Sequence, residues 1–312
     1  MNNPYNRIVV TGGNGFLGHH VVNKLRERSY PFVRVPEFED YDLRYADDIK
    51  AMLRLYRPDV VIHLAAHVGG IGLNKERPAE LFYDNILMGV QLLHESWVHQ
   101  VEKFVQIGTI CEYPKFAEVP FKEEKIWTGY PEETNAPYGI AKKALLVQGQ
   151  AYRQQFGFNV IHLLPVNLYG PGDNFDPNSS HVIPALIMKI AEAKKVNAPK
   201  VEIWGTGRAT REFLYAGDAA EAIVLAMEKY NGADPVNIGT GHEISIERLV
   251  WAIARKIGYM GEITFDASKP DGQPRRCLDI TKAREQFDFM AKTNLEEGLD
   301  SAIEWYYAKE AR

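Results

Sequence analysis

The stretch Val9-Val10-Thr11-Gly12-Gly13-Asn14-Gly15-Phe16-Leu17-Gly18 constrains the fold more than any other part of the chain. A β-branched run breaks into glycines at 12, 15 and 18, and a helical pattern follows at once. Glycines so spaced allow a tight turn, close approach of backbone to a pyrophosphate, and close packing of the helix on the strand. The free N–H groups and positive dipole end of the new helix complete an anion site. The stretch therefore predicts a dinucleotide-binding strand–turn–helix, with Gly12, Asn14, Gly15, Phe16, Leu17 and Gly18 as cofactor-binding candidates.

The rest of the first half repeats that rhythm. Strands are predicted at Arg7–Thr11, Phe32–Val35, Val60–Leu64, Lys103–Ile107 and Asn159–Leu163. Helices are predicted at Gly15–Arg28, Ala46–Tyr56, Pro78–His99 and Tyr138–Phe156. A near-continuous apolar run such as Val60-Val61-Ile62-His63-Leu64 fits a strand buried on both faces, hence a parallel sheet covered by helices. The expected fold class is α/β, a Rossmann doubly wound parallel sheet with ligand at the carboxyl ends of its strands.

After Tyr169-Gly170-Pro171-Gly172 the rhythm loosens. Helices near Val182–Ala193, Ala219–Tyr230 and Ser245–Ile257 alternate with loops rich in Gly and Pro. Thr293-x-x-Glu296 reads as a capping box opening a last helix, with Leu295, Leu299, Ile303 and Tyr306 as its apolar stripe. Residues 1–170 are expected to form the dinucleotide-binding domain. Residues 171–312 are expected to form mainly a smaller C-terminal substrate-binding domain, with segments free to return to the main sheet.

The 312 residues, 46% hydrophobic and 25% charged, suffice for a large core. A net charge of -5 argues against nucleic acid or an anionic membrane as the main partner. Cys111 and Cys277 cannot build a disulfide framework, and there is no Cys/His cluster at zinc spacing, so no metal is expected. The N-terminus lacks a signal-peptide layout and no apolar run is long enough to span a bilayer; a cytoplasmic protein is expected.

Chemistry concentrates in Tyr138-Gly139-Ile140-Ala141-Lys142, where a phenol and an amine stand one helical turn apart on one face. An ammonium beside a phenol is expected to lower the Tyr pKa. Cys111 and His181 are residue types that move protons near neutral pH. Taken alone, Cys111 more often reads as a buried small hydrophobe and His181 as a loop hydrogen-bonder, and Cys277 is assigned the former role. For the cofactor, Glu37 and Glu39 after the second strand suit the ribose hydroxyls of NAD, whereas Arg34 or Arg44, if turned inward, would suit the phosphate of NADP.

The G-x-x-G-x-x-G spacing is similar to that of short-chain dehydrogenases/reductases. The whole chain resembles their extended, nucleotide-sugar branch, and within it the GDP-L-fucose synthase family. Carrying the resemblance are Ala65-Ala66-His67-Val68-Gly69-Gly70-Ile71, Cys111-Glu112-Tyr113-Pro114-Lys115 and Asn167-Leu168-Tyr169-Gly170-Pro171. So do Asp173-Asn174-Phe175, Ser180-His181-Val182-Ile183-Pro184-Ala185-Leu186, Arg211-Glu212-Phe213 and Asp266-Ala267-Ser268-Lys269-Pro270-Asp271-Gly272.

The resemblance implies C3 and C5 epimerisation of GDP-4-keto-6-deoxy-D-mannose, then C4 reduction with NADPH. It assigns Cys111 as base, His181 as acid, Tyr138 as proton donor to the C4 oxygen, Lys142 as its partner and Thr109 as a hydrogen-bonding hydroxyl. It adds Lys142, Pro165, Asn167, Leu168 and His181 to the cofactor contacts, and Lys189, Trp204, Arg211 and Asp271 to the GDP-sugar contacts. It also implies a homodimer built on the helices around Pro78–His99 and Tyr138–Phe156.

Departures from the family pattern are Thr109 and Ile110 in place of two serines, Lys189 for Arg and His67 for Lys. Asn14 and Phe38 stand where arginines can hold the NADP phosphate. NADP(H) is thus the expectation, with NAD(H) or dual use open. A related activity such as GDP-colitose synthesis, and a non-catalytic dinucleotide sensor, are the alternatives.

Overall fold

The structure, a computed structural model, describes residues 4–177, 179–269 and 271–311. Pro270 of the Asp266–Gly272 motif lies outside the described residues. The first half alternates as β1 (Arg7–Thr11), α1 (Phe16–Glu27), β2 (Phe32–Arg34), α2 (Ala46–Tyr56), β3 (Val60–His63), α3 (Ile71–Glu76) and α4 (Pro78–Val98). It continues through β4 (Lys103–Ile107), α5 (Ala136–Phe156) and β5 (Asn159–Pro165).

These strands, with a later β9 (Val236–Ile238), form a six-stranded sheet in the order β2-β1-β3-β4-β5-β9, parallel at every pairing. Strand order reverses at β1, so the turns leaving β1 and β3 diverge and open a crevice at their carboxyl ends.

Burial explains the apolar strands. Ile8 and Val10 of β1 pack in one core with Val21 and Leu25 of α1, while Val9 between them packs with Ile49 and Leu53 of α2 and Leu92 of α4. Successive side chains of a strand point to opposite faces, so a sheet covered on both sides needs apolar residues at every position. All four residues of β3 are buried. Cutting Ile62 back to Ala would cost about 2–5 kcal/mol on this account.

The second half supplies β6 (Asn167–Tyr169), α6 (Val182–Lys195), β7 (Lys200–Trp204), β8 (Thr210–Tyr215), α7 (Ala216–Lys229) and, after β9, β10 (Glu243–Ser245). Then come α8 (Ile246–Ile257), β11 (Glu262–Asp266), β12 (Arg275–Arg276), α9 (Thr281–Phe287) and α10 (Leu295–Glu310). Here α6, α8 and α10 enclose a separate core around Ile187, Ile190, Leu249, Ile253 and Leu299. In contrast, α7 packs on α1, and β9 lies beside β5 in the main sheet.

The predicted stripe of α10 holds, with Leu299 and Ile303 buried and Leu295 and Tyr306 against the same core. Its cap does not. Asn294, not Thr293, caps the helix, its Oδ1 accepting the Glu297 N–H at 2.9 Å. The Thr293 N–H is instead given to Asp218 at 2.8 Å, which keeps Thr293 outside the first turn. Among the described residues no helix is long and apolar enough to cross a membrane, and no cluster of His, Cys, Asp and Glu could hold a metal ion.

Candidate active site

A cleft of about 1600 Å³ opens at the carboxyl ends of β1, β3, β4 and β5 and runs under α6 and the β7–β8 loop. Its floor begins at the glycine turn. Gly15 is the N-cap of α1, no side chain caps the helix, and its first turn carries no acidic residue. The first N–H groups of a helix have no intrahelical partner, so this end presents unspent donors and positive potential to the cleft. A dinucleotide pyrophosphate fits those donors, and Gly12, Gly15, Phe16, Leu17 and Gly18 line the adjoining wall.

At the adenosine end the polar groups are mixed. Asn14 does not line the cleft; its amide turns to the rim and donates to both oxygens of Glu37, at 2.7 and 2.6 Å. Arg44 faces the cleft above the Phe38 ring, but its guanidinium is committed to Asp42 through contacts of 2.7 to 3.1 Å. His67 is likewise paired, its Nδ1 lying 2.9 Å from Asp84.

The catalytic wall is a single turn of 3-10 helix between β4 and α5. Thr109 begins it with a reciprocal cap: its hydroxyl accepts the Cys111 N–H at 3.2 Å, and its own N–H is accepted by Glu112 at 2.9 Å. Against this turn lies the start of α5, which carries Tyr138 and Lys142. Gly139 makes the approach possible, because a Cβ there would sit 3.0 Å from the carbonyl carbon of Cys111 and closer still to its oxygen.

Lys142 is buried, and desolvation holds its pKa down to about 8 against the opposing pull of Glu112. Tyr138 departs from the sequence expectation. Its pKa is raised, first by burial and then by the nearby Cys111 and Glu112. Helical spacing alone registers the lysine and misses both the desolvation and the anionic side of the pocket. The phenol is thereby kept protonated, as a proton donor must be.

His181 is the N-cap of α6 and opens to the cleft, where burial by the surrounding walls lowers its pKa. Its position is set by the preceding loop, whose Ser179 carbonyl accepts the Gly70 N–H at 2.9 Å and whose Asn174 amide donates to the Ser179 hydroxyl at 2.8 Å. The loops after β3 and β6 are thus tied together at the crevice.

Further out, Lys189, Trp204, Arg211 and Asp271 reach the same cleft. Arg211 donates to the carbonyls of Thr210 at 2.7 Å and Asp271 at 3.1 Å, and burial together with neighbouring Arg276 lowers its pKa to about 10. The Asp271 carboxylate is occupied by Thr206, through its N–H and hydroxyl at 2.6 Å each, so it fastens the β7–β8 loop. Trp204 stands exposed at the rim with the Lys269 ammonium 5.7 Å from its ring. Asn167 spends its amide on the Glu212 carbonyl at 2.9 Å, joining β6 to β8.

The predicted site residues therefore meet in one cleft, apart from Asn14 and the ribose or phosphate candidates Arg34, Glu37 and Glu39, which do not line it. Sequence reasoning missed Arg276, whose Nη1 lies 3.8 Å from the Cys111 sulfur and whose Nε donates to Gln273 at 2.7 Å. No local pattern announces it; only the pairing of β12 with β8 brings it beside residue 111. It also missed the work of Glu112, for which Thr109-x-x-Glu112 was an available capping signal.

Compared with known proteins, residues 8–239 match the NAD dependent epimerase/dehydratase family. The chain is 40% identical over 305 residues to the GDP-L-fucose synthase of Sinorhizobium fredii, covering 98% of this chain and 96% of that one. It is 34% identical over 303 residues to the GDP-L-colitose synthase of Yersinia pseudotuberculosis, covering 96% and 97%. A crystal structure of a GDP-L-fucose synthetase from Naegleria fowleri bound to NADP superposes with a TM-score of 0.88 at 29% identity, over 97% and 94% of the two chains.

Proposed function

The chain belongs to the NAD dependent epimerase/dehydratase family, and we propose that it converts GDP-4-keto-6-deoxy-D-mannose to GDP-L-fucose by epimerising C3 and C5 and then reducing C4 with NADPH. One observation carries this reading. A single cleft gathers the uncapped glycine turn, the Thr109–Tyr138–Lys142 set, and a thiol and an imidazole, Cys111 and His181. The 40% identity to a fucose synthase over 98% of this chain supports the sugar.

Inverting a carbon beside a ketone requires a proton to leave one face and another to arrive on the opposite face. In this reading Cys111, with the Arg276 guanidinium 3.8 Å from its sulfur, removes the proton. His181 returns one; an imidazole whose pKa is lowered gives up a bound proton readily. The bound dinucleotide supplies the hydride for C4. Tyr138, held protonated by its buried surroundings, donates a proton to the C4 oxygen while Thr109 hydrogen-bonds it. Lys142 balances the phenolate that proton donation leaves on Tyr138 and would reach the nicotinamide ribose, and the Arg211 and Lys189 side chains would meet the diphosphate.

Apart from the elements that rejoin the main sheet, residues 171–312 form the substrate-covering part. We also propose that two copies pair through α4 and α5, whose outer faces expose Tyr83, Val90 and Val147. With both cysteines unpaired, a reducing cytoplasmic setting fits.

The test is direct. Purified protein given the keto-sugar and NADPH in deuterated water should yield GDP-L-fucose labelled at C3 and C5, with one NADPH oxidised per sugar. A different sugar, or turnover without NADPH consumption, would overturn the reading. Light scattering at twice the chain mass would support the pair.

A further inference from the structure

Behind the catalytic turn lies a buried ionisable pair to which the reaction scheme assigns no part. Glu112 is fully buried and His162 of β5 is 3% exposed. The imidazole Nε2 lies 3.1 and 3.2 Å from the two oxygens of Glu112. Its Nδ1 has no protein partner, so the single ring proton belongs on Nε2, donated to the carboxylate.

The pair has been given room. Gly108 joins β4 to the turn, and a Cβ there would fall against the ring of His162, 3.0 Å from Cε1, and against the Glu112 carboxylate. The same carboxylate accepts the Thr109 N–H at 2.9 Å, which sets where the Thr109 hydroxyl points. A buried pair of this kind contributes little net stability compared with apolar residues of equal volume.

We propose that Glu112, held by His162, is a positioning residue for the reduction: it clamps the Thr109 turn and supplies the negative charge opposite the Lys142 ammonium. The titratable groups around Lys142 are Tyr138 and Lys143 on its own helix, Cys111 and Glu112 on the turn, and His63 on β3. His162 stands behind Glu112, and Glu132 just before α5 and His181 at the start of α6 line the same cleft. Among them Glu112 is the anion whose charge raises the proton affinity of Lys142, against the desolvation that lowers its pKa to about 8. The same charge raises the pKa of Tyr138. Loss of Glu112 therefore shifts both groups toward losing their protons at lower pH.

This inference rests on the reductase reading, and the experiment separates the two. The pH profile of kcat/KM for C4 reduction is measured for the native enzyme and for Glu112→Gln, with NADPH binding followed by fluorescence. Glutamine retains an acceptor for the Thr109 N–H and removes only the charge. The alkaline limb should move down by about one pH unit while activity on its acid side and NADPH affinity are retained.

Should Glu112→Gln fail to fold, the double variant Glu112→Ile/His162→Val removes both ionisable groups and fills the pocket, leaving only the Thr109 N–H without its acceptor, and carries the same expectation for the limb. A limb that stays in place, with activity lowered equally at all pH values, overturns the proposal; so does failure of both variants to fold, which marks the pair as purely structural. If the native enzyme reduces no keto-sugar, it is the reductase reading that fails.

Discussion

Replacing Gly139 by alanine tests whether the catalytic geometry depends on how closely α5 approaches the Cys111 turn. The new Cβ would stand 3.0 Å from the carbonyl carbon of Cys111, and nearer to its oxygen. Comfortable contact needs about 3.5–4.0 Å, so helix and turn must separate by roughly 1 Å. Both sides are rigid: the start of the helix is fixed by the Gly139 N–H donating to Asn135 at 2.8 Å, and the turn by its reciprocal cap.

Two stability effects oppose one another. Overpacking costs about 1–3 kcal/mol, and exchanging glycine for alanine in a helix returns about 1 kcal/mol. Net destabilisation should stay near 0–2 kcal/mol, a few degrees in a thermal melt for a chain of this size. Activity should suffer far more, because a displacement of about 1 Å between reacting groups costs on the order of 100-fold in rate. The assay pairs kcat for NADPH oxidation with NADPH binding and a melt. A folded Gly139→Ala enzyme with native kcat would refute the claim that this contact sets the distance between Tyr138 and the sugar.

Other expectations can be checked with the same preparation. Tyr138→Phe should abolish C4 reduction, below about 1% of native, while deuterium exchange at C3 and C5 continues, because the proposed scheme uses the phenol only in the second reaction. Cys111→Ser should suppress deuterium uptake into the keto-sugar with NADPH binding intact; native uptake would remove Cys111 as the base. NADH should bind within about tenfold of NADPH, since Asn14 and Phe38 replace the arginines of the family pattern and the cleft-facing Arg44 is committed to Asp42. Asn14→Arg with Glu37→Ser should then tilt binding toward NADPH by about tenfold or more, read by fluorescence titration. With Lys142 titrating at about 8, reduction by the native enzyme should decline on the alkaline side as the ammonium deprotonates; a profile still rising at pH 9 would contradict that.

Much of the scaffold was legible before any coordinates. Local chain chemistry is enough to mark a strand buried on both faces, as in β3, and a glycine turn leading into a helix, as at Gly12–Gly18. The misreadings have one common cause. Tyr138 was given a lowered pKa because its helical neighbour Lys142 is visible at a spacing of four, whereas the desolvation and the Glu112 charge that raise it come from packing and from another segment. The α10 cap moved by one residue because Asp218, far away in sequence, takes the Thr293 N–H.

Sequence by itself determined which groups are present and how the segments are built: a parallel sheet, a glycine turn opening a helix, and a Tyr–Lys pair on one helix face. These follow from periodicity and from backbone preferences that act within a few residues. Tertiary structure alone decided which groups share a charge environment. Arg276 reaches Cys111 across 165 positions, and His162 reaches Glu112 across 50. Electrostatic interaction and desolvation depend on distance through space and on the removal of water, and neither is encoded in the spacing of residues along a chain.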